Sequence, residues 1–251
     1  MRISVTIITL NEERNIERCI LSVKDVADEI IVLDSFSTDL TEAICIQHKV
    51  RFEKRKWEGY SQSKNYLNEL AQYDYILSLD ADEALDDELK EEILQLKALN
   101  EPEIYSLNRL TNYCGKWIKH SGWYPDVKVR LFPKKGSYWS GEFVHEELVF
   151  PANIPVKQLN GHLLHYSYYS YKDHRERADI YSTLTALKMY KKGKRASFFK
   201  PFLSGIMRFV KMYFMEKGFL DGKMGFKIAQ ISCQSNVFKY KELRRLTQEG
   251  K

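Results

Sequence analysis

The tightest constraint on this chain is the run Tyr75-Ile76-Leu77-Ser78-Leu79-Asp80-Ala81-Asp82-Glu83, a strand-forming apolar stretch that ends in three carboxylates. Clustered acids cannot be carried into a core without partners. They therefore emerge at a sheet edge, where open α/β folds bind their ligands. Asp80 and Asp82 stand two apart and share one side of an extended segment. Two such carboxylates repel, and a divalent cation among oxygen ligands removes the cost. A hard cation of this kind commonly also holds a phosphate. The competing reading is a strand followed by a helix start, where the helix dipole favours Asp82, Glu83, Asp86 and Asp87.

The surrounding pattern favours an α/β sheet. Arg2 to Leu10 reads as a buried strand, after which Asn11 caps a helix carrying Ile16, Ile20 and Val23 at helical spacing. Glu29 to Leu33, Val50 to Glu53 and Tyr75 to Leu79 follow as strands, separated by helices over Thr41 to His48 and Tyr60 to Ala71. This alternation predicts βαβ units in a mostly parallel, Rossmann-like sheet flanked by helices. A helix over Asp86 to Leu99 is followed by strands at Ile104 to Leu110, Val127 to Phe132, Leu148 to Phe150 and Leu159 to His165. From Tyr171 the pattern is helical: Tyr171 to Tyr190, Phe198 to Met215 and Gly222 to Tyr240. The expected organisation is a sheet domain over 1–168 and a helical extension over 169–251.

A hydrophobic content of 44% with 29% charged residues is that of a folded domain, and no uncharged apolar stretch is long enough to span a bilayer. The N-terminus enters a strand directly, without a signal region. Cys19, Cys45, Cys114 and Cys233 lack metal-ligand spacing and read as reduced thiols of a cytoplasmic protein. The net charge of +5 is unevenly spread. From Ala186 onward 16 Lys or Arg stand against four acids, so that segment carries +12 and the remainder −7. Its cations are interleaved with Phe198, Phe199, Phe202, Phe209, Tyr213, Phe214 and Phe219, a mixture suited to an anionic membrane surface or to nucleic acid. Leu203, Ile206, Met207, Val210 and Phe214 form an apolar helical face, which elsewhere is more often core than membrane.

Polar residues terminate three of the first four strands: Asn11, Asp34, and Asp80 with Asp82. Ser35, Ser37 and Thr38 are explained by turn chemistry, whereas Asp34 sits directly on its strand end. No Gly-rich phosphate loop follows the first strand, which argues against a dinucleotide fold or a P-loop.

These residues carry a resemblance. Thr6-Ile7-Ile8-Thr9-Leu10-Asn11-Glu12, Val32-Leu33-Asp34-Ser35 with Ser37-Thr38-Asp39-Thr41, Ser63-Lys64-Asn65, and Leu79-Asp80-Ala81-Asp82-Glu83 resemble inverting glycosyltransferases of family 2 in motif, order and spacing. Gly122-Trp123-Tyr124-Pro125-Asp126, Arg130-Leu131-Phe132, Val144-His145-Glu146, His165-Tyr166, and Asp221-Gly222 with Gly225 resemble the narrower group of lipopolysaccharide core β-glucosyltransferases.

The resemblance implies the GT-A fold, a nucleotide-sugar donor such as a UDP-sugar, and a divalent metal, Mn²⁺ or Mg²⁺. Thr9 and Asn11 would lie beside the nucleotide and Asp34 would accept a hydrogen bond from its base. Lys64 stands where the family commonly has Arg, keeping the charge without the planar fork. Asp80 would approach ribose and metal, Asp82 would bind the metal, and His165 would add a ligand to metal or phosphate. Departure of a nucleoside diphosphate concentrates negative charge that a cation stabilises, and inversion requires a base at the acceptor hydroxyl. Glu146 holds the position of that base, with Asp126 the alternative and His145 a residue that could orient it. The implied reaction moves a hexose, first of all glucose from UDP-glucose, to a hydroxyl of a cell-envelope glycan or glycolipid. It would take place in the cytoplasm, with peripheral membrane contact through the C-terminal helices. Two rival readings are a nucleotidyltransferase, which lacks its Gly-rich loop here, and a nucleic-acid-binding module, which leaves the strand-end acids unexplained.

Overall fold

The computed structural model describes residues 1–99, 103–141 and 146–250. The chain divides into two compact units, Met1–Arg109 with Asp126–Tyr166, and Leu110–Pro125 with Ser167–Lys251. The sheet unit ends at Tyr166, and residues 110–125 group with the helices.

In the first unit β1 (Ile3–Thr9) is buried along its whole length. It is flanked in parallel by β2 (Glu29–Asp34) and β4 (Tyr75–Asp80), and β2 pairs in parallel with β3 (Arg51–Lys54). Such burial on both faces explains the near-continuous apolar runs. The helices α1 (Ile16–Val23), α2 (Thr41–Gln47), α3 (Tyr60–Leu70) and α4 (Asp87–Leu99) connect and cover these strands. One core, around Ile3, Val5, Ile7, Ile16, Ile20, Leu89 and Ile93, fills one face. The other is filled by Ile8, Ile31, Leu67, Ile76 and Phe132.

Antiparallel strands extend the sheet beyond β4. The order is β3-β2-β1-β4-β8-β6-β11-β5, with β5 (Glu83–Leu85), β6 (Ile104–Tyr113), β8 (Asp126–Pro133) and β11 (Val156–Tyr168). The short β7 (Lys116–Trp117) pairs with β6, and β9 (Tyr138–Ser140) pairs with β10 (Glu147–Val149) in a separate ribbon. The sequence reading missed β5, β7 and β9, each three residues or fewer. The helix start read at Asp82 to Asp87 is therefore divided, since Glu83–Leu85 forms an edge strand against β11 before α4 begins. Asn11 does not cap the first helix. It takes a positive φ of 54°, and its side-chain oxygen accepts a hydrogen bond from the Thr38 amide at 2.8 Å.

The second unit holds α5 (Tyr171–Lys191), α6 (Lys200–Val210) and α7 (Gly222–Glu249). A π-helical stretch, Lys211–Met215, continues α6, and a 3₁₀ turn, Gly218–Asp221, leads into α7. Buried Asp221 explains why residues 110–125 belong here. Its carboxylate accepts from the amides of Lys119 and His120, and its carbonyl accepts from Lys116 at 2.8 Å. Tyr113, Trp123, Tyr168, Tyr171 and His174 pack edge-on or tilted into one aromatic cluster. The predicted apolar face of α6 is not core: Leu203, Ile206, Met207 and Phe214 are each more than half exposed. Its core contacts are made by Pro201, Gly205 and Met212 instead. No helix among the described residues is long and apolar enough to cross a membrane.

The buried His174 ring receives or gives a 2.9 Å hydrogen bond with the Tyr113 hydroxyl. Burial, aided by Arg175 and Arg177, pushes its pKa down to about 4. The unfolded chain then binds the extra proton between pH ~6.5 and ~4. Stability is full above that window and declines as pH falls through it, by at most roughly 3 kcal/mol. Trp fluorescence melts between pH 7 and 4.5 should show this decline, and His174→Phe should flatten it. An unchanged slope in that variant would remove His174 as its source.

Candidate active site

The site is built where β1, β2 and β4 end. Two loops close over the first two strand ends. Asp34 is fully buried, and its carboxylate accepts from both the amide and the hydroxyl of Ser37. The Asn11 amide donates to the Ser37 hydroxyl at 2.7 Å, and the Glu12 amide to Thr41 at 2.9 Å. Asp34 thus anchors the β2 loop, each of its oxygens accepting one hydrogen bond from Ser37. Thr9 is buried, with a hydroxyl that finds no partner among the described residues.

At the end of β4 the charges form an alternating series. Glu146 pairs with Lys64 at 3.2 Å, and Lys64 with Asp80 at 3.1 Å. Asp80 meets Arg130 at 3.0 Å, and Arg130 meets Glu83 at 2.8 Å. Glu83 then meets Arg109 at 3.3 Å, Arg109 meets Asp126 at 2.7 Å, and Asp126 meets Lys128 at 2.9 Å. Lys64 on α3 is 1% exposed, which is possible only because it touches two carboxylates. The Trp139 ring lies 4.7 Å from its ammonium. Burial by itself raises the Asp80 pKa, but Lys64 and Arg130 outweigh it and hold the carboxyl far below the usual range. Burial disfavours the charged Arg130 guanidinium, yet Glu83 and Asp80 hold its pKa above normal.

The expected metal group of Asp80, Asp82 and His165 is not assembled as a trio. Among the described residues no three His, Cys, Asp or Glu side chains converge to hold an ion. Asp80 faces Lys64 and Arg130, whereas Asp82, in the turn before β5, pairs with His165 at 3.3 Å between Oδ2 and Nε2. The Asp82 carbonyl accepts from the Tyr166 amide at 2.8 Å, which fixes that turn against β11. A carboxylate and an imidazole are two sound ligands for a cation that keeps waters and takes substrate oxygens for the rest. The chemistry of Asp82 and His165 is compatible with a cation such as Mn²⁺, while Asp80 is already paired with Lys64 and Arg130.

The two candidate bases differ. Asp126 lies between Arg109 and Lys128, and although burial raises its pKa these cations bring it below normal, which makes it a weak proton acceptor. Glu146 has one cation, Lys64, and a partly exposed side chain. His145 and Glu142 lie outside the described residues. Arg130, for which sequence leaves open a contact to the diphosphate or a surface ion pair, is buried against Asp80 and Glu83. Arg109 and the hub role of Glu83 went unread; the only sequence signal was an acid standing directly before the apolar pair Ala84-Leu85. The Cys19 thiol is buried and held well above its usual pKa, first by burial and then by Glu83, Asp82 and Asp80, so it is inert.

A family model described as glycosyl transferase family 2 matches residues 4–146. An uncharacterised glycosyltransferase of Rickettsia typhi is 31% identical over 98% of this chain and 88% of its own length. The lipopolysaccharide core biosynthesis glycosyltransferase LpsC of Rhizobium meliloti is 30% identical over 89% of this chain and 85% of its own. A crystal structure of S. aureus TarS in complex with UDP-GlcNAc aligns over all of this chain and 93% of its own, at 15% identity and a TM-score of 0.46.

Removing the Lys64 charge leaves Asp80 and Glu146 under-compensated in a buried place. Lys64→Met should cost about 3 kcal/mol in urea unfolding, with Lys64→Arg much milder. Asp80 contributes stability above pH ~4, its unfolded pKa, and loses it as pH falls further toward its depressed folded value. A Lys64→Met protein as stable as the parent would show that the pairing carries no weight.

Proposed function

This chain belongs to glycosyl transferase family 2 and is a glycosyltransferase of GT-A fold. On that footing we propose that it is a metal-dependent inverting hexosyltransferase, using UDP-glucose as the first candidate donor. Its acceptor is a hydroxyl of a cell-envelope glycan or glycolipid such as lipopolysaccharide core. The observation that carries the reading is the Asp82–His165 pair, set in the turn after β4 beside an Asp80 already neutralised by Lys64 and Arg130. The likeness to LpsC supports the acceptor class.

Asp82 and His165 would hold Mn²⁺ or Mg²⁺, which supplies Lewis-acid stabilisation of charge on the departing diphosphate. The protein's own groups do the rest. Asp80, kept ionised by its two cations, offers an acceptor to the ribose hydroxyls. Thr9 presents an unpartnered hydroxyl at the end of β1, and Asn11 and the Asp34 loop frame the nucleotide. Glu146 takes the proton from the acceptor hydroxyl as that oxygen attacks the anomeric carbon. The bond from that carbon to the β-phosphate oxygen breaks on the opposite face, and UDP leaves with the electron pair, so the centre inverts. Asp126 serves Arg109 rather than the acceptor.

Peripheral contact with the inner face of a membrane completes the reading. Its support is the exposed apolar face of α6, carrying Phe202, Leu203, Ile206 and Met207, beside Lys200, Arg208 and Lys211.

A thermal-shift panel of nucleotide sugars with and without Mn²⁺ tests the donor and the metal. A true donor at a hundredfold excess over its Kd stabilises by roughly 2.7 kcal/mol. Asp82→Ala and His165→Ala should each lose the Mn²⁺-dependent part of the shift, and a shift that survives both substitutions refutes the metal assignment. Glu146→Gln should keep donor binding and lose transfer by about 10²-fold or more. Normal turnover in Glu146→Gln would transfer the role of base to Asp126.

A further inference from the structure

Outside the site just described, the second unit contains a crevice of about 480 Å³ between α5, α6 and α7. Hydroxyls of Tyr181, Ser182 and Thr185 line it from α5, and those of Ser232 and Ser235 from α7. Three of these are engaged internally, Ser182 with Ser235 at 2.6 Å and Thr185 with the Tyr181 carbonyl at 2.7 Å. Its charged members are Arg208 and Lys239, and no carboxylate lines it. Neither cation has an acidic partner among the described residues. Lys239 rests on the Asn236 amide oxygen and over the Tyr240 ring, while the Asn236 nitrogen is held by Ser204 of α6. Burial, then Arg208 and Lys200, lower the Lys239 pKa, as expected where cations meet without a counter-charge.

We propose that this crevice binds a phosphate ester. Two uncompensated cations, one with a guanidinium fork, beside the hydroxyl-bearing side chains of Tyr181 and Ser232 are a donor set that phosphate oxygens take. The volume exceeds that of a bare ion and suits a phosphorylated sugar or a lipid headgroup. The site lies wholly in the helical unit and stands apart from the donor-site reading, so either can fail alone.

The test uses the full chain at constant ionic strength, with chloride replaced by inorganic phosphate. Phosphate should raise the melting temperature of the parent. Arg208→Gln and Lys239→Gln should each weaken the apparent phosphate affinity about tenfold, one charge-assisted contact being lost. Arg245→Gln, an equal charge change at a cation already paired with Glu242 and Glu249, should leave that affinity unchanged, as should Asp82→Ala. In chloride, Lys239→Met should melt no lower than the parent, because it removes a repelled cation, and this controls for folding. Sedimentation with phosphatidylglycerol vesicles against phosphatidylcholine vesicles separates the two sources. A matching loss in Arg208→Gln and Lys239→Gln assigns a lipid phosphate, and unchanged vesicle binding beside the lost phosphate shift assigns a soluble ester. A phosphate shift retained by both crevice variants, or lost equally in Arg245→Gln, overturns the proposal.

Discussion

The series of alternating charges from Glu146 to Lys128 is the constraint on which the first unit depends. At about 3 Å and an effective dielectric near 20, each neighbouring pair attracts by about 5 kcal/mol. Dehydrating each buried ion costs several kcal/mol, so the series roughly breaks even as a source of stability. What it supplies is position. Each carboxylate between two cations has one place to be, and Glu83, with a fully buried side chain, also accepts from the Asp80 amide at 3.0 Å. The end of β4 is thereby fixed from β5, β6, β8 and α3 together. Removing any member leaves its neighbours charged and dehydrated, which is why the cost of breaking the series far exceeds the gain from having it.

That arrangement gives the two neighbouring acids different partners. Asp80 is so well compensated by Lys64 and Arg130 that it needs no metal to remain ionised beside the other carboxylates. Asp82, one residue beyond an intervening Ala81, turns away to His165 and is the acid with coordination capacity to spare. Of the two neighbouring carboxylates, the first is thus neutralised by the protein's own ammonium and guanidinium, and the second is paired with the His165 ring. Lys64 suits this geometry: a compact ammonium on a flexible stem reaches both Asp80 and Glu146 from one buried point.

The parallel half of the sheet was legible because its signal is local. β1, β2 and β4 are buried on both faces and read as unbroken apolar runs, and the helices between them have ordinary spacing. The ends of these strands were legible for the same reason. The missed pieces are those whose structure is decided by distant partners. Glu83–Leu85 is a strand only because β11 lies beside it, and three residues carry no period of their own. The roles of Arg109 and Arg130 were not legible because nothing in their neighbourhoods announces acids from elsewhere in the chain. Ser37 carries a turn signal, but turn propensity does not announce that its amide and hydroxyl both bond to Asp34.

The helical unit shows the opposite failure, where a local signal is real and its usual meaning wrong. Leu203, Ile206, Met207, Val210 and Phe214 do share a helical face, yet that face is exposed. The reason lies in the other side of α6. A Cβ added at Gly205 would stand 2.5 Å from a Val237 methyl, so α6 meets α7 through its smallest residue at very close range. Close backbone approach through a small residue leaves no room for large side chains in that seam, and the bulky ones are turned outward. The apolar face displaced from the core by this packing shares its segment with Lys200, Arg208 and Lys211. Tight α6–α7 packing and the outward apolar face are therefore one feature, since the residue small enough for the seam decides which side the bulky ones must take.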